Sequence, residues 1–323
     1  MNKKNLFFWL YIFFVAICYI AIFIHSNTYA PDRDVYINNI MAYPFEGREE
    51  PLLHILSYLL SFITWPELKL LIIQILFLFL FVYCLVDIFG KYYLSKIILF
   101  MPIFIACFSN QLVIQVRIGY SSILFIFIVL FLKKKPNIRN IIWYMVPLTM
   151  HMGSFFAIIF YYAFSYFKIN NRFKFITVLS LIMFFSTLFF SYLESVLRLF
   201  NVPEYYLLTY LDYSAGEEKL RTMPFLVIFY IFLSLFMFLN RNFKRDIVFY
   251  FSLSGFVLIY FGFVLGLYIS FKFLVPIVLF CLIFYIKNIN FTKSSRILIS
   301  CLSLLILPLS FAYLLFQAGY FNQ

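Results

Sequence analysis

The chain has 323 residues, of which 65% are hydrophobic, 24% aromatic and 12% charged, and its mean hydropathy is +0.99. Soluble domains carry roughly 25% charged residues, so this composition excludes them and describes an integral membrane protein. The formal net charge of +12 does not describe a nucleic-acid-binding face, because the cations sit in short clusters between apolar runs, where they read as a topology signal.

The apolar runs are long and continuous rather than alternating, and backbone in lipid must satisfy its own hydrogen bonds, so the spans are helices and not barrel strands. The expectation is an all-α, polytopic helical bundle, a single transmembrane domain over residues 1–323 with outer loops at 25–67 and 194–222. It has about 10 or 11 membrane helices, some short or re-entrant. The basic clusters are Lys3 and Lys4, Lys91 and Lys96, Lys133 to Lys135 with Arg139, Lys168 with Arg172 and Lys174, Arg241 with Lys244 and Arg245, and Lys287 with Lys293 and Arg296. By the positive-inside rule they mark the cytoplasmic side and place the amino terminus there.

In chain order, Leu6 to Ile24 is long enough to span and lacks a small-residue cleavage site, so it reads as a retained first helix. It delivers an acid-rich polar segment, Tyr29 to Glu50, to the outside. Pro51 to Ile63 is too short to span. Its polar residues His54, Ser57, Tyr58 and Ser61 recur at i, i+3, i+4 and i+7, which predicts an amphipathic helix lying on the outer membrane surface, ended by Trp65-Pro66. Leu68 to Phe89 then crosses inward. Lys96 to Leu132 suits a hairpin of two short helices turning outside near Ser109 to Arg117.

Ile141 to Phe167 joins two basic clusters but is too short for two full crossings. A pair of half-helices breaking near Pro147, His151 and Gly153 is expected, with a single tilted span carrying a buried histidine as the alternative. Phe175 to Leu193 exits to the second outer loop, Met223 to Leu239 returns, Ile247 to Leu267 and Phe271 to Ile286 form a hairpin whose outer turn carries Lys272, and Ile297 to Phe316 is the last helix. This topology puts 11 of the 13 carboxylates outside, leaving Asp87 and Asp246 within, although acidic residues were not used to set it.

The outward cations Arg33, Arg48, Lys69, Arg117, Arg198, Lys219, Arg221 and Lys272 run against the positive-inside bias. Arg117 and Lys272 lie within or beside apolar helices, where a cation is costly unless it is paired or lines an aqueous cavity. They read as an anion clamp, for a diphosphate for example, or else as side chains snorkelling to headgroups or pairing with the outer carboxylates. Tyr206, Tyr210 and Tyr213 recur at helical spacing, as a sugar-stacking stripe or an interfacial aromatic belt. Gly262 and Gly266 have the GxxxG spacing of helix packing. The cysteines (Cys18, Cys84, Cys107, Cys281, Cys301) all lie in apolar runs without a CxxC spacing, so neither a disulfide framework nor a metal site is expected, and no cofactor.

Four short patterns in order carry a family resemblance. They are Asp32-Arg-Asp-Val-Tyr36 after the first helix, Glu50-Pro51 opening the amphipathic stretch, Val116-Arg117-Ile-Gly119-Tyr-Ser121 on a long apolar run, and His151-Met-Gly153-Ser154. In these the chain resembles the Wzy-type bacterial polysaccharide polymerases of the EpsG-like branch, over roughly its first half. Two departures are Ile118, where the family has a polar residue after the Arg, and Gly153, where it has a Ser.

The resemblance implies a GT-C-like fold and a multi-pass glycosyltransferase of the bacterial cytoplasmic membrane. Its partners would be undecaprenyl diphosphate-linked oligosaccharides, the lipid bilayer and a chain-length regulator protein. It would polymerise repeat units into O-antigen, capsule or exopolysaccharide at the outer face. Arg117 then becomes the diphosphate ligand, with Arg221 and Lys272 beside it. Asp32 or Glu50 is the base, with His151 as the alternative, and Arg33, Tyr36, His54, Tyr206 and Tyr210 are substrate contacts. The rival readings are a lipid-linked oligosaccharide flippase, which would favour inverted repeats and charges near the midplane, and a membrane O-acyltransferase built on His151, which would leave the acidic outer loop without a role.

Overall fold

The computed structural model describes residues 9–17, 35–42, 51–90, 93–113, 116–131, 140–169, 171–192, 223–239, 246–264 and 270–290. These residues are overwhelmingly helical, with no strand among them. Two of the helices, Pro66–Phe89 and Ser270–Asn288, are long and apolar enough to cross a membrane. The chain divides into two compact units, Met1–Lys133 with Met145–Met152 and Ile289–Gln323, and Lys134–Tyr144 with Gly153–Asn288.

In the first unit, α1 (residues 9–17) is followed by a π-helix, Val35–Met41, and then α2 (Pro51–Leu59), α3 (Pro66–Phe89), α4 (Tyr93–Val113) and α5 (Val116–Ile126). A proline sits at the first position of α3, where its missing N–H costs nothing. Gly90 ends that helix with φ 60°, a conformation that favours glycine. As expected, α4 and α5 are consecutive helices that pack together and α5 starts at Val116, although α4 continues past its irregular residue Phe108 to Val113. Both also pack on α3, where Phe81 meets Phe100 and Phe104 at ring separations of 5.7 and 5.3 Å. Close aromatic packing of this kind supplies dispersion between the helices.

The amphipathic helix forms over Pro51–Leu59, but not with the expected orientation. His54 and Ser57 turn into the protein beside Leu53, while Ile55, Tyr58, Leu59 and the following Phe62 form the exposed edge. The correction has a physical cause: α2 packs on the π-helix and on α3, and the Ser57 hydroxyl finds a backbone acceptor there.

The segment Ile141–Phe167 is interrupted rather than one continuous α-helix. It runs through α6 (Ile141–Met145), short 3-10 turns at Val146–Thr149 and Met152–Ser154, and α7 (Phe155–Tyr166), and breaks around the expected Pro147, His151 and Gly153. The second unit continues with α8 (Arg172–Ser191), α9 (Met223–Leu239), α10 (Ile247–Ser252), α11 (Gly255–Phe263) and α12 (Ser270–Asn288). Its core is α12, which packs on α7, α9, α10 and α11 and is buried along most of its length. Phe280 of α12 meets Phe251 edge-on at 4.8 Å, and Tyr161 meets the same ring at 5.3 Å. A Cβ placed on Gly262 would collide with the ring of Phe271, so this member of the GxxxG pair is a packing glycine. Gly266, the second outer loop and the expected last helix lie outside the described residues.

Candidate functional site

Of the described candidate residues, Tyr36, His54, Arg117 and His151 lie in the first unit, which contains the π-helix Val35–Met41. Its wide turn is visible in the bond from the Ala42 amide to the Ile37 carbonyl, five residues back, at 3.1 Å. Single π-turns are often found where a side chain must be aimed, and here each end of the segment holds a cation from another helix.

At the first end, Arg117 Nε donates to the Tyr36 hydroxyl at 2.9 Å, and the guanidinium carbon lies 5.0 Å from the centre of the same ring. Tyr36 is 1% exposed and Arg117 half-buried. The tyrosine thus orients the guanidinium by a hydrogen bond and a cation–π contact at once, which fixes the plane in which a fork of N–H groups can meet an oxyanion. At the second end, the carbonyl of Met41 accepts from Lys69 Nζ at 2.9 Å and from Ser57 Oγ at 3.3 Å.

One helical turn beyond Arg117, Ser121 Oγ makes contacts of 2.9 Å with the carbonyls of both Pro147 and His151. A buried hydroxyl shared in this way ties the broken segment to α5, so His151 is tethered through its backbone to the helix that carries Arg117. The half-buried imidazole of His151 is therefore carried on irregular backbone with a fixed anchor. Between Arg117 and Ser121, Tyr120 stacks on Phe77 of α3 at 4.4 Å and 7°, locking the two helices at this level.

Gln74 lies one turn before Phe77 on α3 and is 3% exposed; neither end of its amide has a hydrogen-bond partner. His54, 8% exposed, lies one turn before Ser57 on α2, and its Nδ1 likewise has none. Buried amide and imidazole groups are normally satisfied, so these two mark the interior of the first unit as built for polar contacts.

The structure therefore brings together Tyr36 and Arg117, tethers His151 near them along the chain, and sets His54 on the helix that holds the other end of the π-segment. Lys272 is half-buried in the second unit, as the third residue of α12. Asp32, Arg33, Glu50, Tyr206, Tyr210 and Arg221 lie outside the described residues. Three contributors were not singled out by the sequence: Lys69, counted only as one outward cation among eight, Ser121, quoted as part of a motif without a role, and Gln74, an isolated amide in an apolar run. A glutamine or lysine inside a run as apolar as Leu68 to Phe89 is the signal that would have found two of them. Among the described residues, no three His, Cys, Asp or Glu side chains gather as a metal site requires.

No family model, curated protein or solved structure matches the chain.

Proposed function

We propose that this chain is a polytopic, GT-C-like polymerase of undecaprenyl diphosphate-linked oligosaccharides, of the Wzy type and EpsG-like branch. In this reading it lies in the bacterial cytoplasmic membrane with its amino terminus inside and works at the outer face. The observation that carries it is the contact of Arg117 with Tyr36. Two residues 81 positions apart, drawn from two of the four short patterns, meet at hydrogen-bond distance, and Ser121 of the same pattern as Arg117 holds the backbone of His151 from a third.

The chemistry follows from what each group can do. A hydroxyl on the non-reducing-end sugar of one lipid-linked unit attacks the anomeric carbon of the growing chain. The bond from that carbon to the diphosphate oxygen breaks, and the diphosphate leaves with the electron pair. Arg117, aimed by Tyr36, stabilises the charge that grows on the departing oxygens. Asp32 or Glu50, or else His151, takes the hydroxyl proton. A preset guanidinium plane matters because stabilisation of a transition state requires donors already in place.

The test is to delete the chain from its host and run the surface glycan beside a complemented strain. The expected result is collapse of the ladder to a single repeat unit, meaning that export and attachment persist while polymerisation is lost. Complete loss of the glycan would replace the reading with a flippase or an earlier step. An unchanged ladder with altered mass per unit would replace it with an O-acyltransferase.

A further inference from the structure

We propose that Lys69 is the cation of a buried phosphate-binding site at the far end of the π-helix from Arg117, with His54 on the adjoining helix as its neighbour. The site deepens the polymerase reading, in which the oxyanion belongs to a lipid-linked diphosphate, but its physical basis is independent of that reading.

Lys69 is 6% exposed and, among the described residues, makes one hydrogen bond, to the Met41 carbonyl. It has no carboxylate partner among the described residues. An ammonium has three N–H donors and a full charge, so among the described residues two donors and the charge have no partner. Capping the carboxyl end of a short helix is the plain alternative, since a lysine beside a terminal carbonyl is favourable. That role does not call for a charge here. The Met41 carbonyl already accepts from the neutral hydroxyl of Ser57, itself fully buried. Burying an ammonium to duplicate a serine is a poor exchange, because desolvating an isolated cation costs far more than one carbonyl contact returns.

The surroundings point to an anionic ligand with further polar groups. Ser57 and His54 are one turn apart on the inward edge of α2, so the imidazole lies about one turn, roughly 5 Å, along that helix from the serine that shares Met41 with Lys69. Among the described residues, His54 Nδ1 has no partner. An ammonium and an imidazole nitrogen, both on side chains more than nine-tenths buried, suit a phosphate oxyanion with a hydroxyl group attached to it. Two sources share that chemistry: the phosphate of a lipid headgroup and a soluble or lipid-linked diphosphate.

The experiment uses the full chain in phosphatidylcholine nanodiscs and follows thermal unfolding as sodium pyrophosphate is added at constant ionic strength. The wild type is expected to be stabilised in a saturable manner, Lys69→Met to need at least ten-fold more pyrophosphate, and Lys69→Arg to stay close to wild type. Should Lys69→Met not fold, lysine 15Nζ spectra of the wild type, with the Lys69 signal assigned by its loss in Lys69→Arg, provide the readout: it should move on pyrophosphate addition. In a second arm without pyrophosphate, nanodiscs containing phosphatidylglycerol replace the first. Lys69-dependent stabilisation there assigns the site to a lipid headgroup.

Equal pyrophosphate response in wild type and Lys69→Met, an unmoved Lys69 signal, or no response to either phosphate would overturn the site. Because no sugar is turned over, the two readings fail separately. Lys69-independent binding in a chain whose deletion collapses the ladder leaves the polymerase standing; Lys69-dependent binding in a chain whose deletion leaves the ladder intact leaves only the site.

Discussion

The two units are made of the same material, apolar helices rich in phenylalanine and tyrosine, yet they treat buried polarity differently. Among the described residues of the second unit the buried polar side chains, tyrosines aside, are serines: Ser154, Ser234, Ser252, Ser254 and Ser270. Those with resolved bonds close on nearby carbonyls, Ser252 on Phe249 at 2.7 Å, Ser254 on Phe251 at 2.6 Å and Ser270 on Leu258 at 2.7 Å. In the first unit the buried set includes Lys69, Lys96, Gln74 and His54, with Arg117 half-buried. A serine in an apolar helix is cheap because its hydroxyl can return to its own turn, whereas a buried ammonium or amide is not. The difference separates a unit that, among the described residues, buries serines from one that also buries ionisable and amide side chains.

The sharpest way to break that contrast is Arg117→Ala. If the first unit carries the chemistry, loss of one preset donor at the leaving group should reduce elongation by at least about 100-fold, with protein level and thermal stability close to wild type. Normal elongation by this variant would remove Arg117 from the mechanism. The corresponding change in the second unit is Gly262→Leu, which forces a side chain into the ring of the buried Phe271. Overpacking of this kind costs about 1–3 kcal/mol. The expected result is a lower melting temperature with unchanged elongation per folded molecule, and a loss of turnover without loss of stability would refute the division of roles.

Tyr36→Phe tests a finer point within the first unit. The ring stays beneath the guanidinium, while the acceptor of Arg117 Nε at 2.9 Å is removed. Losing one hydrogen bond to a charged group is worth about 1.5–3 kcal/mol, so elongation should fall by about ten- to 150-fold, and by less than in Arg117→Ala. Equal losses in the two variants would mean that the tyrosine has a role of its own at the substrate, measured by whether a guanidinium-independent defect persists in the double variant.

How much of this was legible in the sequence follows from which physical rules are local. The ends of α3 were readable because a proline opens it and a glycine closes it, and both act on their own backbone. The break around Pro147 and Gly153 was readable for the same reason. The orientation of α2 was not, because a polar edge can face water or a polar interior equally well, and the choice was made by the Met41 carbonyl, contributed from 16 residues upstream. The pairing of Arg117 with Tyr36 was foreshadowed only as two patterns in one order. Lys69 was obscured because counting it as an outward charge assumed water around it, whereas tertiary packing covers it.

The smallest expected effect concerns Asp246 in the second unit. It is exposed and stands at the start of α10, where its carboxylate accepts from the amides of Val248 at 3.0 Å and Phe249 at 3.1 Å. An aspartate in this position satisfies two of the amides that every helix leaves open and lies favourably at the positive end of the helix dipole. Asp246→Ala should therefore cost about 1 kcal/mol, read as a small drop in melting temperature, and Asp246→Asn, which keeps the acceptor oxygen, only a few tenths. Elongation should be untouched by either, since among the described residues the carboxylate hydrogen-bonds the amides that open α10. Were Asp246→Asn to slow elongation while leaving stability intact, the charge itself would be in use, and the view that ligand chemistry is confined to the interior of the first unit would have to be given up.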